Sequence, residues 1–172
     1  MAGRSTSGMD KKLGTNIIYD SFSAGENFKI GGFCIIEEDV QVGDNVEIGN
    51  YVLLKKGTKI GNDVFIDSYV RSSGDNEIYD GATIRFGATI ARNVIVGEEA
   101  FISPNVMTIY TTHRGKSRGK TIIGARAFIG TAAVINSGVA IGKDVVIGAM
   151  TYVSKNCIEK GIYFGIPAKK IR

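Results

Sequence analysis

His113 is the only histidine in the chain, and imidazole is the side chain best suited to moving a proton near neutral pH. Such a group can take a proton from a hydroxyl or an amine as it attacks an electrophile, and can then hand that proton to the leaving group. His113 closes the segment TIYTTH and is followed by four cations within seven residues, Arg114, Lys116, Arg118 and Lys120. Asp75, Glu77 and Asp80 are candidate carboxylates to orient the imidazole, a backbone carbonyl would also serve, and Glu98 and Glu99 lie at a different turn. Tyr79 and Arg85 are candidate acceptor contacts. A cysteine acyl-enzyme does not fit, because Cys34 and Cys157 both fall at inward repeat positions and read as buried free thiols. A single histidine cannot supply a three-histidine zinc centre, so no metal is expected.

These residues must be held by an unusual backbone. A six-residue period keeps register over residues 30–107 and returns over residues 123–158, giving hexads such as IGNYVL, IGNDVF, IGTAAV and IGKDVV. Position one is Ile, Val or Leu in 18 of 19 hexads and position five is Val, Ala, Thr or Cys in 18 of 19, with both exceptions in the hexad Ser72 to Glu77. Position four is largely Gly, Asn or Asp, residues that accept the left-handed backbone region. A period of six fits neither a helix nor a long strand, so the chain must bend after every short strand, with the branched residue inside.

Three hexads make a triangular coil of eighteen residues, stacked at about 4.8 Å, the strand spacing of a sheet. The expectation is an all-β, left-handed parallel β-helix of about seven coils spanning residues 18–158. A polar arm precedes it at residues 1–17, one loop is extruded near residues 110–122, and a short C-terminal tail follows at residues 159–172. Stacking by eighteen aligns Ser72, Ile90 and Thr108, placing the defective hexad beneath the interrupted one and predicting a groove there.

The 172 residues, 44% hydrophobic, suffice for one core. No run of about 18 apolar residues and no signal-peptide pattern occurs, so the expectation is a cytoplasmic protein with no membrane span. The net charge of +4 raises nucleic acid as a partner. The basic cluster lacks aromatic interleaving and a recognition-helix pattern, which disfavours that partner.

The repeats, the ending from IGKDVVIGAMTYVSKNCIEKG to FGIPAKKIR, and the segment ISPNVMTIYTTH resemble the hexapeptide-repeat acyltransferases, in particular sugar O- and N-acetyltransferases of the galactoside and maltose acetyltransferase group. The resemblance implies a homotrimer with active sites between subunits and acetyl-CoA, or another acyl-CoA, as co-substrate. It also implies direct transfer to a sugar or nucleotide-sugar hydroxyl or amine, with His113 as general base, in surface-polysaccharide synthesis. By the same resemblance Gly130, Thr131 and Ala149 supply backbone groups to the oxyanion and the pantetheine. Lys155, Lys169, Lys170 and Arg172 are candidates for the donor phosphates, and Gly165 and Pro167 shape the tail that closes the donor site. The arm is shorter than in serine acetyltransferases and in the galactoside and maltose group, which makes those acceptors less fitting. The alternative is a catalytically silent β-helix scaffold.

Overall fold

The computed structural model describes residues 14–112, 114–116 and 118–172. Strands of two or three residues recur along the chain, beginning with β1 (Ile17–Ile18), β2 (Ser23–Ala24) and β3 (Lys29–Ile30), which open three separate sheets. Each strand then lies parallel to the one eighteen residues on, so that Ile17 sits beside Ile35 and Glu77 beside Ile95. The first sheet has eight strands, the second seven and the third nine. The result is a triangular parallel β-solenoid of the left-handed β-helix class, with about eight coils rather than about seven. The added strands come from the tail. Ile162–Phe164 extends the third sheet in parallel, and Lys169–Lys170 runs antiparallel beyond it.

The hexad rule has a direct physical cause. Position-one side chains such as Ile36, Leu54, Ile66, Ile84 and Ile102 are fully buried in the stack, each contributing roughly 1.5–3 kcal/mol. Position five, where the corner tightens, admits only the narrower Cys34, Val40, Ala82 or Ala100, also fully buried. Every position four between Phe33 and Met150 has positive φ, including Asn45 at 56° and Asp63 at 56°. Burial pushes the thiols of Cys34 and Cys157 up, consistent with inert core positions.

The partner separation falls to sixteen at the C-terminal end, as where Val146 lies beside Ile162, and rises from eighteen residues to twenty-seven at one point, as where Phe101 lies beside Phe128. Residues 109–120 absorb the difference between β16 (Met107–Thr108) and β17 (Thr121–Ile123), at the corner between the first and second sheets. The coil resumes in phase after this insertion, so the loop is an outgrowth and not a break.

The polar inward positions of the defective hexad do not open into a groove. Ser72 and Asn76 are inward and buried, with the Ser72 hydroxyl 2.6 Å from Asn76 Oδ1 and 2.7 Å from Thr58 Oγ1. Asn76 Nδ2 donates to the Ala91 carbonyl at 2.6 Å. No buried side-chain polar atom among the described residues lacks a partner, so this substitution of polar for branched residues is a self-contained knot inside the core.

Candidate active site

The loop is tied at the first-to-second corner. The Ser137 hydroxyl donates to the Tyr110 carbonyl at 2.5 Å and accepts the Arg118 N–H at 3.2 Å. Gly138 N–H donates to Thr121 Oγ1 at 2.9 Å. Within the loop, Thr112 N–H donates to the Lys116 carbonyl and Gly115 N–H to the Thr112 carbonyl, both at 2.9 Å, forming a small closed turn. His113 itself lies outside the described residues.

Of the expected orienting and acceptor residues, the structure joins Glu77 and Tyr79 to this loop. Lys120 crosses the intervening coil to reach Glu77 Oε1 at 3.0 Å, while Tyr79 OH donates to Oε2 at 3.1 Å. Lys120, and secondarily Tyr79, hold the Glu77 carboxyl below the usual glutamate range, and the same contact pushes the Tyr79 phenol up. Both residues line a shallow groove of about 280 Å³ with Lys59, Ile60, Gly61 and Ile78. Asp75 pairs instead with Arg92 at 3.4 Å, and Asp80 accepts the Asn62 N–H at 2.8 Å on the second-to-third corner. Arg85 stands on the third-to-first corner, paired with Asp67 at 3.1 Å and lying 6.0 Å over the Phe65 ring, so it is not gathered with the others.

The expected donor backbone does come together, on that third-to-first corner. A Cβ added at Gly130 would lie 2.5 Å from Ala149 N, so the two turns touch directly. Lower on the same corner, position-three amides are satisfied by side chains: Gly32 donates to Asn50 Oδ1 at 2.8 Å, Asn50 to Ser68 Oγ at 3.0 Å and Ser68 to Asp67 Oδ1 at 2.7 Å. Higher up that position is held by Pro104, Thr131 and Ala149. The amides of Thr131 and Ala149 find no acceptor among the described residues. An open amide also occurs lower on this corner at Phe86, beside the charged Arg85, and others at Glu98, Ala125 and Lys143 on the second-to-third corner, which is crowded with charge, including the Arg126–Asp144 pair at 2.8 Å. Around Thr131 and Ala149 the turn residues Pro104, Asn105, Ala132 and Met150 are uncharged.

The tail passes over the same corner. Gly165 accepts the Tyr152 N–H at 3.1 Å and Ala168 N–H donates to the Tyr152 carbonyl at 2.8 Å, carrying the Gly165–Pro167 turn from the third sheet to the first. Lys169 is exposed on that tail, Lys170 pairs with Glu159 at 2.9 Å, and the Arg172 carbonyl accepts the Ile162 N–H. Lys155 lies on the first-to-second corner, apart from the amide pair. Sequence reasoning missed Ser137, Thr121 and Gly138. Their one visible signal was a Ser-Gly pair in the hexad INSGVA, a common turn composition.

Among the described residues no helix is long and apolar enough to cross a membrane. The bacterial transferase hexapeptide (six repeats) family matches residues 25–56 and 120–155. No curated protein matches the chain by sequence. Among solved structures, PerB from Caulobacter crescentus in complex with CoA and GDP-perosamine is 21% identical, covered over 91% of this chain and 56% of its own, with a TM-score of 0.55. The acetyltransferase domain of PglB from Neisseria gonorrhoeae is 17% identical over 91% of this chain and 57% of its own, at 0.53. A mutant of AntD, an N-acyltransferase from Bacillus cereus, in complex with dTDP and coenzyme A, is 24% identical over 92% and 81%, at 0.50. The chain spans less than two thirds of the first two, and at these identities the likeness is one of fold. Repeats, coil register and these matches together make the chain a left-handed β-helix built on hexapeptide repeats, similar in fold to the PerB, PglB and AntD structures.

Proposed function

We propose that the chain is an acyl-CoA-dependent acyltransferase that moves an acetyl group onto a hydroxyl or amine of a sugar or nucleotide-linked sugar, in the cytoplasm. The observation that carries this reading is the pair of open amides at Thr131 and Ala149, on an uncharged corner bordered by the tail. An acyl-CoA arm is long, largely uncharged and bears amides, so a column of unpaired N–H groups suits it. An N–H aimed at the thioester oxygen stabilises the tetrahedral transition state. The fold relatives bear on the same reading, since the PerB and AntD structures contain coenzyme A with, respectively, GDP-perosamine and dTDP.

In this mechanism His113 takes the acceptor proton, the acyl carbonyl becomes tetrahedral against the Thr131 amide, and the C–S bond breaks as coenzyme A leaves carrying the proton. No covalent acyl-enzyme is required. The described anchor points of the loop lie at the first-to-second corner and on the second sheet, across the first sheet from Thr131 and Ala149. A trimer in which the loop of one subunit faces the amide corner of the next closes that gap.

The test is His113→Ala, assayed with acetyl-CoA and a panel of nucleotide-linked sugars. Turnover is expected to fall by about 10²–10⁴-fold, the range for loss of a general base, with Tm and donor affinity unchanged. In the wild type kcat/KM is expected to rise with pH as His113 loses its proton. Unchanged turnover in the variant, with chemistry limiting, overturns the assignment. Absence of acetyl-CoA binding by calorimetry favours the silent scaffold.

A further inference from the structure

The loop over residues 110–118 begins and ends on one side-chain oxygen. Ser137 is 1% exposed, and its hydroxyl donates to the carbonyl of Tyr110 and accepts the amide of Arg118, at 2.5 and 3.2 Å. A hydroxyl has one proton and two lone pairs, so a single atom can do both at once. The next residue has been cut to fit the same task. Gly138 has φ of 71°, and a Cβ there would lie 2.5 Å from the Arg118 carbonyl oxygen and 2.6 Å from the Arg118 Cβ. Gly138 N–H is in turn held by the buried hydroxyl of Thr121, where the loop rejoins the coil.

We propose that Ser137 is a positioning residue: its hydroxyl clasps the two ends of the histidine loop and so sets where His113 stands. This deepens the acyltransferase reading and rests on it only for its catalytic consequence. The physical reason is that the extruded loop has left the ladder of coil-to-coil hydrogen bonds. Its ends are therefore fixed by what replaces that ladder, which includes Ser137 and Thr121, the Tyr110 side chain packed against the core, and the exposed Lys120–Glu77 pair. An exposed pair holds geometry weakly, whereas a buried hydroxyl with both functions satisfied holds it firmly.

Because the chain has one histidine, its imidazole Cε1–H gives a single proton NMR signal, readable without knowing the acceptor. The experiment compares pH titrations of that signal in full-length wild type, Ser137→Ala and Thr58→Ala. Thr58 is an equally buried hydroxyl on the same corner that does not touch the loop, so it controls for general destabilisation. The expected result is a wild-type chemical shift distinct from that of a free histidine peptide, retained in Thr58→Ala and moved to the peptide value in Ser137→Ala. In the acceptor assay Ser137→Ala is expected to lower kcat roughly tenfold to a hundredfold while leaving the affinity for acetyl-CoA unchanged, as misplacement of a reacting group does. A Ser137→Ala titration superimposable on wild type overturns the proposal. So does an equal change in Thr58→Ala, or a wild-type signal already at the peptide values. The titration stands apart from the general-base assignment: if His113→Ala keeps full turnover while Ser137→Ala moves the signal, the clasp survives and the catalytic reading fails.

Discussion

The lower and upper halves of the third-to-first corner obey the same hexad rule and treat their turns in opposite ways. From Gly32 to Ser68, side chains close the position-three amides, and the neighbouring position four carries Phe33, Tyr51 and Tyr69 with φ of 60°, 58° and 63°. Left-handed backbone costs such residues roughly 1–2 kcal/mol each. Their rings recover part of this by stacking at 5.0 and 4.9 Å, with Phe86 tilted against the last at 5.3 Å. From Pro104 to Met150 there is neither side-chain ladder nor ring stack, the turn residues are small or uncharged, and two amides stay open. The coil depends on positions one and five, which both halves share. Whether an edge is sealed or available for a ligand depends on positions three and four, which they do not.

The harshest way to break this comparison is at what the halves share. Val94 is 1% exposed in the apolar stack, and Val94→Asp would bury an unpaired carboxylate. We expect loss of the folded state, seen as absent cooperative melting by circular dichroism or as aggregation on size exclusion. A cooperative melt near the wild-type Tm would place the inward register elsewhere.

A more selective test acts on the upper half. Pro104 occupies position three one coil below Thr131, so that turn accommodates proline in this corner. Thr131→Pro therefore deletes one N–H while keeping the turn. Turnover is expected to fall by about 10²–10³-fold, as when an oxyanion donor is removed, with a small change in Tm. Full activity in a folded Thr131→Pro protein removes that amide from the mechanism.

In the lower half the effect should be on stability alone. Tyr51→Ala removes two stacked contacts and keeps the left-handed residue, so about 1–3 kcal/mol of stability is lost by denaturant titration while acetyl-CoA affinity is unchanged. A loss of affinity would show that the two halves are not separate in duty.

The smallest effect is expected at Glu77→Gln, which weakens the exposed tether to Lys120 by about 0–1 kcal/mol. Its sign with pH is fixed. The Glu77 carboxyl is held below its ordinary value of about 4.3, so the contribution is present above that pH and disappears as pH falls through the lower folded value. The stability difference between wild type and Glu77→Gln, measured by urea titration, should be constant near neutrality and vanish in acid. A difference that grows on acidification would contradict the pairing.

The coil and its inward positions were readable because a constraint repeated along the chain writes itself many times: Ile at position one and Val or Ala at position five need no knowledge of distant partners. Ser72 and Asn76 broke the rule and invited the reading of a groove, because sequence shows a polar residue at an inward position and not the hydroxyl or carbonyl that satisfies it. Ser137 was invisible for the converse reason. Its two partners are main-chain groups of Tyr110 and Arg118, and backbone atoms leave no residue-type signature. The ring stack could have been seen by aligning position four at intervals of eighteen, where Phe33, Tyr51 and Tyr69 coincide.

The reversal near the C-terminus has a consequence for assembly. A stack of parallel coils presents at its end a row of unpaired backbone groups, a surface on which another stack can continue by simple addition. Here the antiparallel strand Lys169–Lys170 covers the third sheet, and Gly165 and Ala168 occupy the N–H and carbonyl of Tyr152 on the first. On the second, Cys157 only adds one more residue to the stack, with its N–H and carbonyl bound to Ala140 and Gly142 of the coil beneath. The third and first sheets are thus finished off at this end by a chain that changes direction and carries two lysines outward. The segment that borders the Thr131 and Ala149 corner therefore also covers two strand edges, and its removal would expose them to another stack.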